Sequence, residues 1–166
     1  VYRDPRYETF RMIYVDDAGT VLATEGISSR LPGSSSAFLS GDRARDWFDM
    51  KDRMKRLGAT GYWMVHNHPS GRAIPSSADM GLTRRFEESV PGFRGHVVID
   101  SGEYGFILPG HAGSTGLKKL PTDDRLLEPR VEHRQLGRVI TSPEQVAKIG
   151  KEIESPEGWV TLLYRD

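Results

Sequence analysis

The chain has 166 residues, 37% hydrophobic and 28% charged, a size and balance that suit a soluble globular domain with a real core, with or without an appendage. Lysines plus arginines number 23, as do aspartates plus glutamates, so bulk charge does not point to a nucleic-acid binder. Cysteine is absent, which excludes disulfides and thiolate ligands and leaves histidine and carboxylate for any metal.

No apolar run approaches the roughly eighteen residues of a membrane span, and no signal-peptide pattern opens the chain, so a cytoplasmic setting is expected. The first residue is Val1, not Met, as in a trimmed or partial chain. Tyr7 to Asp16 alternates, with Phe10, Met12 and Tyr14 on one side and Thr9, Arg11, Ile13 and Val15 on the other, which predicts a strand. Asp17-Ala18-Gly19 supplies a turn and Thr20–Glu25 the hairpin partner. Residues 28–41, rich in Ser, Gly and Pro, read as a loop. From Asp42 to Leu57 the period changes: Trp47, Met50, Met54 and Leu57 mark one apolar helix face, capped by Asp42 and stopped by Gly58. Gly61–Val65 reads as a short buried strand, and Ser76 to Val90 as a helix with Leu82, Phe86 and Val90 on its apolar edge. Gly95–Asp100 and Tyr104–Leu108 read as strands across a Ser101-Gly102 turn. The order β-β-α-β-α-β-β predicts an α/β (α+β) domain, a mixed β-sheet flanked by helices, over residues 1–108.

Residues 109–136 carry Gly, Pro and mixed charges with few large apolar groups and read as a linker or extended segment. Over 137–166, Ser142-Pro143-Glu144 opens a helix with Val146, Ile149 and Ile153 on one edge. Gly158–Asp166 reads as a strand. Leu162–Asp166 echoes Met12–Asp16, so this helix-strand appendage reads either as a truncated second copy or as an added strand of the core sheet, a route to oligomers.

The stretch between the third strand and the second helix carries the chemistry. Side chains two apart on an extended segment share a face, so His66 and His68 can point at one atom while Asn67 points away. Pro69, Ser70 and Gly71 break the strand. Ser76 then caps the next helix, with Asp79 on the same face of its first turn. If the loop folds back, two imidazoles and one carboxylate meet, and three protein ligands with an open fourth position is how a catalytic zinc site is built.

His-x-His, seven residues, Ser, two residues, Asp resembles the JAMM (MPN-plus) metalloprotease motif at every defined position. The wider string HNHPSG…PS…AD resembles the RadC-like branch, over about Glu8 to Leu108. The resemblance implies an MPN-type, cytidine-deaminase-like JAB fold. It further implies one Zn²⁺ held by His66, His68 and Asp79, with Ser76 stabilising an oxyanion. Spacing alone does not choose a general base among Glu8, Glu25, Glu87 and Glu88; the resemblance implies Glu8, with Glu25 as runner-up. Asn67 and Ser70 are expected to brace the loop from behind the ligands. Arg72 stands where RadC-like sequences often carry an acid, a departure that bears on substrate and not on metal. His96, His111 and His133 lack ligand spacing and read as structural or surface residues, His96 as the buried one. In RadC-like proteins an SPE-type helix precedes the first core strand, whereas here it follows the core.

Three functions follow. The first is a zinc-dependent hydrolase cleaving peptide or isopeptide bonds, including those of ubiquitin-like conjugates. The second is a RadC-like metal-containing accessory module of DNA-processing or mobile-element proteins. The third, a metal-free scaffold, is opposed by the complete ligand set. Two imidazoles and a carboxylate favour zinc, with iron, nickel or manganese as substitutes.

Overall fold

A computed structural model describes residues 8–28, 42–68, 72–100, 102–111, 115–119 and 137–153. Its first hairpin joins β1 (Thr9–Val15) to β2 (Val21–Ser28). β2 runs three residues beyond the expected Glu25, because its backbone keeps pairing with β1 as far as Thr9↔Ser28. Helix α1 (Arg43–Leu57) starts where Asp42 accepts hydrogen bonds from the Ala44 and Arg45 amides. It stops at Gly58, whose φ of 68° is the left-handed conformation that glycine adopts without steric cost.

Strand β3 (Gly61–Asn67), helix α2 (Ser77–Ser89) and strand β4 (Phe93–Asp100) form a crossover unit. β3 and β4 are parallel, and the other strand pairs are antiparallel. A parallel pair needs a long crossover, and α2 supplies it. β5 (Glu103–Ile107) pairs with β4, and β6 (Gly116–Lys119) with β5, giving a six-stranded mixed sheet of order β2-β1-β3-β4-β5-β6. With the three helices of the described residues this is the α+β architecture expected of a JAB/MPN domain.

Both faces of the sheet are buried. Phe10, Met12, Tyr14, Tyr62 and Met64 pack with Met50 and Met54 of α1 and Phe86 of α2. Ile13, Val15, Trp63, Val65, Val97 and Ile99 pack on the opposite side with Val146, Ala147 and Ile149 of α3 (Pro143–Ile153). The two sets alternate along each strand, as the pleat requires.

The described residues add two particulars to the expected second half. Within the expected linker, Gly116–Lys119 is a strand. Its Leu117 is exposed and its other members are Gly and Lys, so this charged sheet edge has no apolar period to read. The helix expected as part of an appendage packs on one face of the core sheet, against β3, β4 and β5, and the segment before it follows β2. There the Val21 amide donates to the Arg138 carbonyl at 2.6 Å and the Ile140 amide to the Gly19 carbonyl at 2.7 Å. Amphipathic spacing showed that α3 had an apolar edge but could not show which surface receives it. The strand expected at 158–166 lies outside the described residues, as do Ser70 and His133. Among the described residues no helix is long and apolar enough to cross a membrane.

Ile149 is wholly buried against the sheet, so Ile149→Ala should destabilise the chain by about 2–5 kcal/mol. Urea denaturation should show a single transition at lower midpoint; a separate early transition would show α3 to unfold independently of the sheet.

Candidate metal centre

β3 continues through His66 to Asn67, two residues past its expected end, because the parallel register with β4 holds as far as Asn67↔Ile99. The His68 amide still donates to the Ile99 carbonyl at 3.2 Å. The pleat therefore sets both imidazoles at one end of the sheet, His66 buried and His68 partly exposed. Helix α2 brings the carboxylate. Ser76 is its N-cap, accepting from the Asp79 amide at 3.2 Å, while the Ser76 amide donates to Asp79 Oδ2 at 2.6 Å. This reciprocal capping box fixes the first turn and with it the Asp79 rotamer. The loop leading into it lies against β5 at Gly105, where a Cβ would overlap the Ala73 carbonyl oxygen. Only glycine lets that loop sit so close to the sheet.

The ligand atoms converge. His66 Nε2 and His68 Nε2 are 2.9 Å apart, and each is 3.2 Å from an oxygen of Asp79, Oδ1 for His66 and Oδ2 for His68. Two atoms each bonded to a tetrahedral zinc at the usual lengths are separated by roughly 3.3 Å, so the triangle has the dimensions that such an ion requires. Its chemistry fits as well. His68 Nδ1 lies 3.0 Å from the Arg72 carbonyl, which only accepts, so Nδ1 carries the proton and the neutral ring presents a bare Nε2. Acceptor atoms crowded this closely repel unless positive charge lies among them. Buried His66 and Asp79, with the half-buried His68, are thus a group that could hold a metal ion.

The electrostatics show the same demand. Burial pushes the Asp79 carboxyl up, but its contacts with the imidazoles of His66 and His68 outweigh it and hold the group well below the usual carboxylate range. Burial pulls His68 down, yet the hydrogen bond and charge of Asp79 hold it above the ordinary imidazole value, helped by the Arg72 carbonyl and the charge of Glu8.

The other expected residues fall as follows. Glu8 stands just before β1, partly buried, with its charge acting on His68. Asn67 Oδ1 accepts from the Thr9 amide at 2.7 Å and from Thr9 Oγ1 at 2.9 Å, tying the end of β3 to the residue after Glu8. Glu25 is engaged elsewhere, accepting from the Tyr14 hydroxyl at 3.1 Å and paired with Arg53 of α1. Glu87 accepts from the Gly110 amide, and Glu88 is exposed. Exposed His111 bonds locally to the Pro109 carbonyl.

Sequence reasoning missed the contributions of Arg72, Thr83 and His96. Arg72 acts through its backbone, which no side-chain pattern reveals. His96, expected to be buried, lies 2.8 Å from His66 and 2.8 Å from Thr83. Burial, followed by the nearby His66, pushes it well below the ordinary value. The available signal was Thr83, one helical turn after Asp79 on the same face.

Comparison with known proteins agrees with this geometry. A family profile described as RadC-like JAB domain matches residues 1–94. The chain is similar to the UPF0758 protein of Acidithiobacillus ferrooxidans, 29% identical over 105 residues, covering 61% of this chain and 43% of the relative. It is 30% identical over 106 residues to the UPF0758 protein of Pelobacter propionicus, covering 61% and 43%. It is 34% identical over 101 residues to that of Syntrophomonas wolfei, covering 58% and 40%. The matched region thus spans about two fifths of the length of these curated relatives.

Protons and metal compete for the same nitrogen. With its pKa raised, protonated His68 stabilises the metal-free fold most fully below the unfolded imidazole value, about 6.5, and this contribution is lost as pH rises through the folded value. Asp79, with its pKa depressed, keeps its charge throughout that range. The rise in melting temperature on adding zinc should therefore grow between about pH 6 and pH 8. A zinc increment that shrinks with pH would contradict this assignment.

Proposed function

The chain belongs to the RadC-like JAB domain family, and from that premise we propose that it is a metal-containing module holding zinc between His66, His68 and Asp79, acting beside DNA-processing or mobile-element proteins. The observation that supports the metal part of this reading is the convergence of two Nε2 atoms and a carboxylate within 2.9–3.2 Å at the junction of β3 and α2. The capping box and the Arg72 carbonyl hold that arrangement by backbone contacts. Zinc is favoured by the donor set of two imidazoles and one carboxylate. Elemental analysis of protein purified without added metal should find zinc at close to one ion per chain, and Asp79→Ala should lose it. A metal-free preparation that also takes up no added zinc would refute the proposal.

A second reading, hydrolysis of peptide or isopeptide bonds, draws support from the position of Glu8. When bound, zinc would supply a Lewis acid and lower the pKa of a water toward neutrality. The chain's own part is proton transfer and positioning. Glu8, close enough for its charge to act on His68, would take a proton from the attacking water at its carboxylate and return it to the leaving amine. Thr9 and Asn67 hold that end of β1 against β3. Ser76 keeps the helix cap, and its hydroxyl would donate to the charge that develops on the substrate carbonyl oxygen. Replacing Glu8 by Gln keeps the shape and removes the base. The E8Q variant should hold zinc and keep its melting temperature while hydrolysis falls about 10²–10⁴-fold. Testing begins with a panel of linear peptides, isopeptide-linked ubiquitin-like conjugates and nucleic acids. Loss of zinc would make Glu8 a ligand, and full activity with zinc retained would place the base elsewhere.

A further inference from the structure

His96 is wholly buried on β4 and is hydrogen-bonded through both ring nitrogens. Its Nε2 lies 2.8 Å from His66 Nδ1, and its Nδ1 lies 2.8 Å from Thr83 Oγ1. Thr83 Oγ1 in turn lies 2.7 Å from the backbone carbonyl oxygen of Asp79. These contacts form a chain whose direction is set at one end. A carbonyl oxygen only accepts, and a threonine hydroxyl has a single proton, so that proton goes to the Asp79 carbonyl. The hydroxyl then faces His96 with lone pairs alone, and His96 Nδ1 must be the donor. A neutral imidazole that donates from Nδ1 accepts at Nε2. His66 Nδ1 then carries a proton, and His66 Nε2 is bare.

We propose that Thr83 and His96 are positioning residues, a one-way hydrogen-bond chain anchored on the Asp79 backbone that locks His66 in its Nδ1–H tautomer and aims the Nε2 electron pair at the ligand point. The inference rests on the metal reading of this site and deepens it. The chain begins on the backbone of one ligand residue and ends on the ring of another, so the orientation of His66 follows the placement of the first turn of α2. Phe10 closes the arrangement from the side, its ring 6.3 Å from that of His66 and 6.0 Å from that of His96. The Arg72 carbonyl sets the same tautomer on His68, and both imidazoles are thereby prepared for a metal before one binds.

Long-range ¹H–¹⁵N correlation spectra of the full ¹⁵N-labelled chain at about pH 8, metal-stripped and zinc-loaded, read the tautomers directly. His66 and His96 should both be protonated at Nδ1 in the metal-stripped chain as well as with zinc; a metal-stripped His66 protonated at Nε2 would overturn the proposal. Thr83→Val removes the hydroxyl at nearly constant size, and Thr83→Ser restores it. Competition against a chromophoric zinc chelator should show affinity about 10–100-fold weaker in Thr83→Val and close to the parent in Thr83→Ser. The cobalt-substituted Thr83→Val should also show an altered visible spectrum. Parent-like zinc affinity together with an unchanged cobalt spectrum in Thr83→Val would refute the chain's role. Should that variant fail to fold, the tautomers of the parent chain decide alone. A parent chain that takes up no zinc would sink the metal reading, yet its His66 tautomer would still test the hydrogen-bond chain.

Discussion

Crowding electron-pair donors together away from bulk water is unfavourable, and the fold imposes that arrangement at one end of its central strand. His66 is held there by the pleat of β3, and Asp79 by a capping box in which it bonds the backbone of Ser76. Asp79 cannot turn away without giving up its bond from the Ser76 amide, nor His66 without giving up its contact with His96. A cation among His66, His68 and Asp79 would relieve their mutual repulsion. Backbone carbonyls at Arg72 and Asp79 accept the remaining protons of the site's hydrogen bonds, and the protein's own helix and loop geometry thus determines where the bare electron pairs point.

The rest of the fold supports that end of the sheet. Aromatic and methionine side chains of β1 and β3 pack under α1 and α2, which anchors the helix that delivers Asp79. The other face is closed by α3. β3 lies between β1, which follows Glu8, and β4, which carries His96, so the central position in the sheet collects the parts of the site from three segments distant in sequence.

How far the sequence could be read follows from this division. His66, His68, Ser76 and Asp79 were legible because two local periods, the pleat of a strand and the first turn of a helix, put each pair on one face, leaving only the fold-back of the loop to be supplied. The helix caps at Asp42 and Gly58 were legible for the same reason. The contact between His66 and His96 was not, since it depends on the parallel register of β3 and β4, which no local pattern encodes. β6 was invisible because a four-residue edge strand of Gly, Leu and Lys carries no alternation. The apolar edge of α3 was plain, but its destination was a tertiary fact. The engagement of Glu25 by Tyr14 and Arg53 was likewise a tertiary fact, since it joins β1, β2 and α1.

The placement of α3 bears on how the chain is assembled. During synthesis β1, β2, β3 and β4 emerge well before the residues that cover Ile13, Val65 and Ile99. A ribosome adding about 5–20 residues per second leaves that apolar face open for several seconds while the opposite face can already close under α1 and α2. The nascent sheet is then one-sided and sticky, and its histidine pair is present on a strand still lacking half of its packing. Non-local closure of this kind is slow relative to helix formation, which makes the interval before α3 docks the time when a chaperone, a second nascent copy or an early-arriving metal ion has most influence on the outcome.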